Sequence, residues 1–326
     1  MDERLNGRIT DVKILDLMIC RVPGLKAGDR IELQKKFDKE DDFSVLSTKD
    51  LEKLLGRALT GPPLKMDEIR SMAEKDAAAA LKLGIRIVSW REQAYPPLLR
   101  EVYDPPALLF YRGVLPDPVK PLVAVVGTRK PSSQAAKRAF VLGRELGEAG
   151  IPVVSGLALG IDSMAHRGNV EGRSPTVAVL GSGPDMVYPA SNRSLAGRIL
   201  ETGGVILSEY PPGTGPRKWN FPERNRIISA LARGTVIVEA PERSGALITA
   251  RFALEQNRDL WVDSAGISSE RSRGTARLAE EGATVISSAA DILAEWKMAP
   301  VRSSGIIPGE GADLASSMAE YLDIKL

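Results

Sequence analysis

The stretch Leu122-Val123-Ala124-Val125-Val126-Gly127-Thr128-Arg129 decides the fold. Its first five residues are apolar without a break, which is typical of a strand that is covered on both faces. Gly127-Thr128-Arg129 closes the run, and a helical pattern follows over about residues 132–149. Similar apolar runs alternate with helical patterns further on, at residues 151–154, 176–180, 205–207, 235–238, 260–262 and 284–286. The sequence therefore predicts an α/β fold with a doubly wound, mainly parallel sheet.

Small residues follow most of these strands at their carboxyl ends. In open α/β sheets this edge is where ligands bind. Gly127-Thr128 is one such turn, and we expect Arg129 to project from it into the crevice. Ser155-Gly156 and Ser244-Gly245 each lead into a helix, whose first N–H groups can hold a phosphate oxygen. Close packing of helix against sheet is the alternative explanation for these small residues.

A second informative stretch is Arg217-Lys218-Trp219-Asn220-Phe221-Pro222-Glu223-Arg224-Asn225-Arg226-Ile227-Ile228-Ser229-Ala230. Between positions 217 and 233 it carries five cations and the single acid Glu223. Pro222 suits the first turn of a helix, because its missing N–H would have no partner there. Trp219 and Phe221 offer flat faces on which a base can stack. A site for phosphate and base is the functional interpretation, and a solvated helix start with a buried phenylalanine is the alternative.

Asp162 and the single histidine, His166, lie four residues apart in the helical pattern that follows Gly160. This spacing places both on one helical face. Asp162 can cap the helix. Because no nucleophile or metal partner accompanies the pair, we predict a structural contact between His166 and Asp162 in preference to catalysis.

The composition of the 326 residues is that of an ordinary globular protein, with 43% hydrophobic and 26% charged residues. No apolar run has the length of a membrane span. One cysteine, Cys20, fits a reducing cytoplasm, and one cysteine with one histidine disfavours a zinc site. Neither a dinucleotide fingerprint nor a P-loop is present, so we expect no cofactor. With a net charge of only +2, any nucleic-acid binding must come from a local basic patch.

The chain divides into four predicted segments. Residues 1–60 read as a small all-α domain, in which Val22 to Arg30 resembles half of a helix-hairpin-helix unit, with a plain helical hairpin as the alternative. Gly61-Pro62-Pro63 is a break. Residues 61–120 are predicted as linker and extension of the core, and residues 121–296 as the core itself. Residues 297–326 are expected to form a short tail without a winged helix.

In order along about residues 80–296, these motifs resemble the DNA processing protein A family (DprA/Smf). The resemblance implies an extended Rossmann-like core with a helix-hairpin-helix or SAM-like N-terminal domain. The motifs that carry it are Gly127-Thr128-Arg129, Ser155-Gly156-Leu157-Ala158 with Gly160-Ile161-Asp162 and His166, Ser208-Glu209-Tyr210-Pro211-Pro212-Gly213, Phe221-Pro222 with Arg224-Asn225-Arg226-Ile227-Ile228, and Val238-Glu239-Ala240 with Ser244-Gly245 and Thr249-Ala250.

The resemblance implies a cytoplasmic, non-enzymatic homodimer that binds single-stranded DNA. In natural transformation such a protein protects incoming DNA and loads a RecA-type recombinase. Arg129, Lys218 and Phe221 correspond to the family's DNA-contacting arginine, lysine and stacking aromatic. The full set of expected DNA-binding residues is Gly127, Thr128, Arg129, Ser155, Gly156, Lys218, Phe221, Arg224, Asn225, Ser244 and Gly245.

Two departures and two alternative functions accompany the resemblance. Ala265-Gly266 and Gly274-Thr275-Ala276 stand where the family usually has Pro-Gly and Gly-Thr-Asn. We expect these departures to change the detailed shape of the rim that they form and not the DNA groove. Related Rossmann proteins include nucleotide phosphoribohydrolases, for which Glu239 or Glu209 would be the candidate catalytic residue here. A purely protein-binding scaffold is the other alternative, although it leaves the expected convergence of cations and aromatics unexplained.

A homodimer also has a motivation in the last helices. Over about residues 272–296 several apolar residues look exposed in the sequence pattern, and a two-fold partner is the commonest way to cover such residues. They are Leu278, Ile292, Leu293 and Trp296.

Overall fold

Nine strands form one mixed sheet in the part of the chain that the computed structural model describes, residues 14–267 and 272–298. Their spatial order is β1-β2-β6-β5-β4-β3-β7-β8-β9. Strands β3 to β9 are parallel, whereas β1 and β2 pair antiparallel at one edge. The strands are β1 (Arg86–Ser89), β2 (Leu108–Gly113), β3 (Val123–Val126), β4 (Val153–Ser155), β5 (Val177–Leu180), β6 (Val205–Ser208), β7 (Gly234–Ile237), β8 (Asp259–Asp263) and β9 (Thr284–Ile286).

Helices precede the sheet and then alternate with its parallel strands, which confirms the predicted α/β class. The helix expected over residues 132–149 is α7. The helices are α1 (Ile14–Arg21), α2 (Ala27–Lys36), α3 (Glu40–Ser44), α4 (Thr48–Leu55), α5 (Met66–Lys82), α6 (Pro97–Arg100), α7 (Ser133–Glu148), α8 (Ile161–Glu171), α9 (Arg193–Glu201), α10 (Asn220–Leu231), α11 (Gly245–Glu255), α12 (Arg273–Glu280) and α13 (Ala289–Glu295). None of the described helices is long and apolar enough to cross a membrane.

The central strand β3 is buried throughout because helices cover the sheet on both faces. Residues of α10 and α11 pack on one side, and residues of α7, α8 and α13 form a second apolar cluster. Ser132 fixes the start of α7, since its hydroxyl accepts a hydrogen bond from Ala135 N at 3.1 Å.

Strand order reverses at β3, which has β4 on one side and β7 on the other. From β3 the chain proceeds outward through β4, β5 and β6, and then returns to β7. Such a switch point opens a crevice at the carboxyl ends of the strands. The turns after β3, β4, β5 and β7 all reach this edge, where the sequence analysis predicted most of the DNA-binding residues.

The N-terminal helices share an apolar cluster with the antiparallel edge of the sheet. Residues of α1, such as Met18 and Ile19, belong to the same buried cluster as Leu108 and Phe110 of β2. An ion pair also joins α1 to α5, with Arg21 Nε donating to Asp76 Oδ2 at 2.6 Å. The division near residue 60 therefore remains a proposal. Residues on the two sides of Gly61-Pro62-Pro63 pack against each other. Residues 1–13 and the predicted tail beyond 298 lie outside the described residues.

The apolar residues expected to be exposed near the C-terminal end of the core are covered within the chain itself. Ile292 and Leu293 are buried in the α7–α8 cluster, and Leu278 packs against the other side of the sheet. Trp296 is buried against Trp261, with ring centroids 5.5 Å apart, and its indole N–H donates to Asp259 Oδ2 at 2.7 Å. This removes the packing argument for a dimer, because amphipathic periodicity does not say whether an apolar face meets the same chain or another.

The rim that departs from the family pattern is tied to the end of β7. Ala240 N donates to Thr275 Oγ1 at 2.7 Å, and Thr275 N donates to Ala240 O at 3.1 Å. A Cβ on Gly266 would lie 1.7 Å from Val238 O, so the backbone approaches β7 as closely as glycine allows.

Candidate nucleic-acid interface

A groove of about 660 Å³ lies at the carboxyl edge beside the switch point. It is lined by the turns after β3, β4, β5 and β7 and by the first turns of α10 and α11. Nine of the eleven residues predicted from the sequence line it. They are Gly127, Thr128, Arg129, Lys218, Phe221, Arg224, Asn225, Ser244 and Gly245.

The described lining of this groove is strongly basic. Its five cations are Arg129, Lys130, Lys218, Arg224 and Arg243, and its one acid is Asp162. A second cavity, of about 510 Å³, lies between the N-terminal helices and the core. There three arginines meet four carboxyl groups, so the charges nearly cancel. Of these two cavities, only the groove has the excess of positive charge that nucleic-acid binding requires.

Phe221 is one of two aromatic residues in the described lining of the groove, and it lies beside both a cation and the other ring. The guanidinium carbon of Arg129 lies 5.5 Å from the centroid of the Phe221 ring. The ring of Tyr188 lies 5.7 Å from it, centroid to centroid, at an interplanar angle of 41°. Phe221 is half-buried, and its neighbour Asn220 anchors the helix start by donating to Gly181 O at 2.9 Å. An aromatic face and a cation are thus held side by side.

Lys218 lines the groove, whereas its two neighbours in sequence lie outside it. Lys218 is exposed and lines the groove. Arg217 and Trp219, its neighbours in sequence, do not line it. The Arg217 guanidinium lies 5.7 Å from the Trp219 ring, which is 60% exposed. Of the two aromatics in this stretch, the groove therefore contains Phe221 only.

The start of α11 forms the opposite wall. The Ser244 hydroxyl accepts a hydrogen bond from Ala246 N at 3.2 Å and so caps the helix. Asn225 Nδ2 donates to Gly245 O at 3.1 Å and links the first turns of α10 and α11. A Cβ on Gly245 would meet nothing within 4 Å, so the backbone there faces open space. The positive end of the helix dipole makes this wall suitable for a phosphate group.

Arg224 lies beneath the groove rather than on its surface. It is buried, and its Nη1 donates to Gly156 O at 2.8 Å and also to Val179 O. A Cβ on Gly156 would come within 2.6 Å of this guanidinium, so any larger residue would displace Arg224 from its present position. Burial above all, with the charge of Arg129 also contributing, lowers the pKa of Arg224 to about 10. Arg224 therefore positions β4, β5 and α10 relative to one another.

Ser155 and Gly156 are the two predicted binding residues that do not line the groove. The Ser155 hydroxyl donates to Val125 O at 2.7 Å and is fully buried. The sequence placed both residues correctly at a strand end, but strand-end position alone does not say whether a side chain turns toward the crevice or into the sheet.

The predicted contact between His166 and Asp162 is replaced by two separate sets of hydrogen bonds. Asp162 Oδ2 accepts from Gly156 N at 3.1 Å and from Ala158 N at 3.4 Å. His166 Nδ1 lies 2.8 Å from Thr176 Oγ1, whose hydroxyl donates to Val153 O. The partner of the histidine is Thr176, directly before β5, and helical spacing could not reveal it.

Thr128 contributes its backbone to the base of the groove. Its N–H donates to Glu239 O at 2.7 Å, and its carbonyl accepts from Ile161 N at 3.2 Å. Gly160 has a φ of +77°, and a Cβ there would lie 2.4 Å from Thr128 O. The turns after β3, β4 and β7 are therefore locked together through backbone groups.

Tyr188 and Arg243 line the groove but were not among the predicted site residues. Tyr188 lies in the loop after β5, eight residues beyond the strand end, whereas Arg129 lies three residues beyond β3. Position at a strand end therefore gave no signal for Tyr188. Arg243 stands directly before Ser244. Among the described residues, no group of three or more His, Cys, Asp or Glu side chains is placed to hold a metal ion.

The family model described as DNA recombination-mediator protein A matches residues 86–297. The chain belongs to this family. The DNA recombination-mediator protein A match begins at β1, and so covers the sheet and the groove and excludes α1 to α5.

Individual relatives agree with the family match. The DNA processing protein DprA of Bacillus subtilis (strain 168) is 34% identical over 282 residues, which are 86% of this chain and 94% of the relative. The DprA of Streptococcus pneumoniae (strain R6) is 43% identical over 206 residues, 63% of this chain and 72% of the relative. Protein Smf of Escherichia coli K12 is 39% identical over 199 residues, 61% of this chain and 53% of the relative.

Two solved structures of DprA proteins superpose on this chain with TM-scores above 0.5. The X-ray structure of DprA from Streptococcus pneumoniae superposes with a TM-score of 0.67 at 33% identity, covering 89% of this chain and 96% of that one. A structure of DprA from Helicobacter pylori, whose description concerns its single-stranded DNA binding mode, gives a TM-score of 0.57 at 29% identity and covers 65% of this chain and 95% of that one.

Proposed function

We propose that this protein binds single-stranded DNA in the groove at the switch point. The observation that carries the proposal is the convergence of Arg129, Lys218 and the Phe221 ring with the start of α11. The cations neutralise phosphates, and the helix start supplies N–H donors to another phosphate. The aromatic ring supplies a stacking face that every base can use. Single strands are favoured over duplex because paired bases are already stacked and cannot reach Phe221.

We further propose that the bound strand is passed to a RecA-type recombinase during natural transformation. The family's description as a recombination mediator supports this, as does the likeness to the Helicobacter pylori protein described as binding single-stranded DNA. Protection of incoming DNA belongs to the same proposal, and both activities would take place in the cytoplasm.

A nucleotide-processing enzyme is the competing function, and the geometry gives it little support. Neither candidate carboxylate lines the groove. Glu239 is buried, and its Oε2 accepts a hydrogen bond from Ser132 N at 2.7 Å at the start of α7. Both oxygens of Glu209 lie 2.8 Å from Arg226 Nη2. We therefore propose a binding role without catalysis, which predicts no release of base from nucleoside monophosphates.

Lys218→Ala and Phe221→Ala should separate in a salt titration of single-strand affinity. Loss of a phosphate contact at Lys218 should flatten the slope of log K against log salt concentration by about 0.7. Loss of a stacked base at Phe221 should weaken binding by about 1–3 kcal/mol with little change in slope, because no counterion is involved. Fluorescence anisotropy with a labelled dT oligomer at several salt concentrations measures both quantities.

Matched controls exist for both of these substitutions. Lys137 is an exposed lysine on α7 outside the groove lining, and Tyr103 is 99% exposed and also outside it. Lys137→Ala and Tyr103→Ala should leave affinity and slope close to those of the unmodified protein. Unchanged affinity in both groove variants would overturn the proposed site, as would a phenylalanine variant that moves the slope as much as the lysine variant.

A homodimer is proposed on the family resemblance alone, since the apolar residues that motivated it are buried within the chain. Light scattering at micromolar concentration should give about twice the chain mass of 35.1 kDa. A mass equal to that of one chain would count against the dimer and would leave the proposal for the DNA groove untouched.

A further inference from the structure

Tyr188 is an exposed aromatic residue inside the basic groove. Its residue surface is 49% exposed, and it lines the groove beside Phe221. In the described part of the chain its hydroxyl has no hydrogen-bond partner. The side chain is therefore neither part of the buried core nor part of a polar network. About half of its surface is exposed to water, which leaves its ring free to contact a ligand.

The loop that carries Tyr188 is held firmly on both sides. Ser182 Oγ donates to Met186 O at 2.6 Å, and Gly183 N donates to Thr214 O at 2.8 Å. The carboxylate of Asp185 accepts from Gly213 N at 3.0 Å. The turns after β5 and β6 thus lock each other, and the exposed ring is presented in a fixed place. Preorganisation of this kind reduces the entropy that is lost when a ligand binds.

We propose that Tyr188 is a second base-stacking position, so that the groove holds one base on Phe221 and a neighbouring base on Tyr188. The inference rests on the proposed single-strand function. The ring centroids are 5.7 Å apart, a separation that neighbouring nucleotides of a single strand can span. The Arg129 guanidinium lies 5.5 Å from the Phe221 ring, and further cations line the same groove. Stacking uses the flat face common to all bases, so this site carries no sequence preference of its own.

A purely structural role for Tyr188 would be to hold Phe221 in place. The two roles differ in a double substitution. If Tyr188 acts only through Phe221, its loss should have no further effect once Phe221 is alanine. If Tyr188 stacks a base itself, its loss should still weaken binding in that background.

The test compares Tyr188→Leu, Phe221→Ala and the double variant on a six-nucleotide dT oligomer and on an abasic oligomer of the same length. Leucine keeps apolar contact with Phe221 and removes the aromatic face. We expect Tyr188→Leu to weaken dT binding roughly fivefold or more, alone and in the Phe221→Ala background. Binding to the abasic oligomer should not change, because it offers phosphates and no bases.

Two further variants make the outcome decisive. Tyr188→Phe keeps the ring and should restore dT binding, and Tyr103→Leu is the exposed-tyrosine control with no effect. No further loss in the Phe221→Ala background, or an equal loss on the abasic oligomer, would overturn the second stacking position. An unmodified protein that does not distinguish dT from the abasic oligomer would likewise overturn base stacking at Tyr188. An unmodified protein that binds neither oligomer would instead overturn the proposed single-strand function itself.

Discussion

Arg224→Met should lower the free energy of unfolding by about 3–5 kcal/mol, the range for removing one partner of a buried charge arrangement. Its Nη1 donates to the carbonyls of Gly156 and Val179, and both acceptors would lose that donor. Each buried polar group left without a partner costs about 1–3 kcal/mol. Burial raises the pKa of Asp162, and the positive charge of Arg224 acts against this rise. The substitution would also remove that favourable charge from the Asp162 carboxylate. Urea denaturation measures the change.

A direct DNA contact by Arg224 would give a different result. In that case Arg224→Met would reduce the salt slope of binding and leave stability nearly unchanged. Arg217→Met is the matched control, because Arg217 is exposed and outside the groove, and its change should stay within about 0.5 kcal/mol. A variant as stable as the unmodified protein would contradict the positioning role that we assign to Arg224.

Acid should destabilise the protein through its one histidine. Burial first, and then the charge of Arg224, lowers the pKa of His166 from 6.5 to about 3. Between these two values the unfolded chain binds a proton that the folded protein does not, so stability falls as the pH falls from 6.5 towards 3. At pH 5 the loss should be about 2 kcal/mol relative to pH 7.5.

Two measurements check this behaviour. Denaturation of His166→Gln should show a much smaller difference between pH 7.5 and pH 5, whatever its stability at neutral pH, because the chain then has no histidine. In proton NMR of the unmodified protein, the ring signals of His166 should not titrate between pH 5 and pH 8. A titration centred near pH 6.5 would show that the ring is accessible to water, contrary to its buried position.

The parallel part of the sheet could be predicted because continuous apolar runs and glycine-containing turns are local signals. The strand order could not, since pairing partners such as β3 and β7 are far apart in sequence. The antiparallel attachment of β2 to β6 is a similar case. Strand β2 lies in the segment 61–120 that was predicted as linker and extension of the core, and only the folded structure shows that β2 extends the main sheet.

The residues that line the groove were predictable to the extent that strand ends define an edge. Arg129, Lys218 and Phe221 were placed in the groove correctly because each stands at a strand end or helix start in a basic context. Arg224 was assigned to the same surface, yet its side chain turns inward to two carbonyl groups. Phe221 at the groove and the buried Arg224 are only one helical turn apart in α10. The sequence has no local signal that tells whether a cation in that turn faces the groove or the interior.

The pairing of β2 with β6 has a consequence for synthesis on the ribosome. Phe110 lies opposite Ser208, and Gly113 opposite Val205. At translation rates of 5–20 residues per second, β2 waits about 5–20 s for its neighbour to be made. During this interval α1 to α5 can already cover Leu108 and Phe110, which belong to their cluster, while Leu109 belongs to the cluster built later. The nascent chain therefore carries an open strand edge that a chaperone or a second nascent chain can reach before the sheet closes.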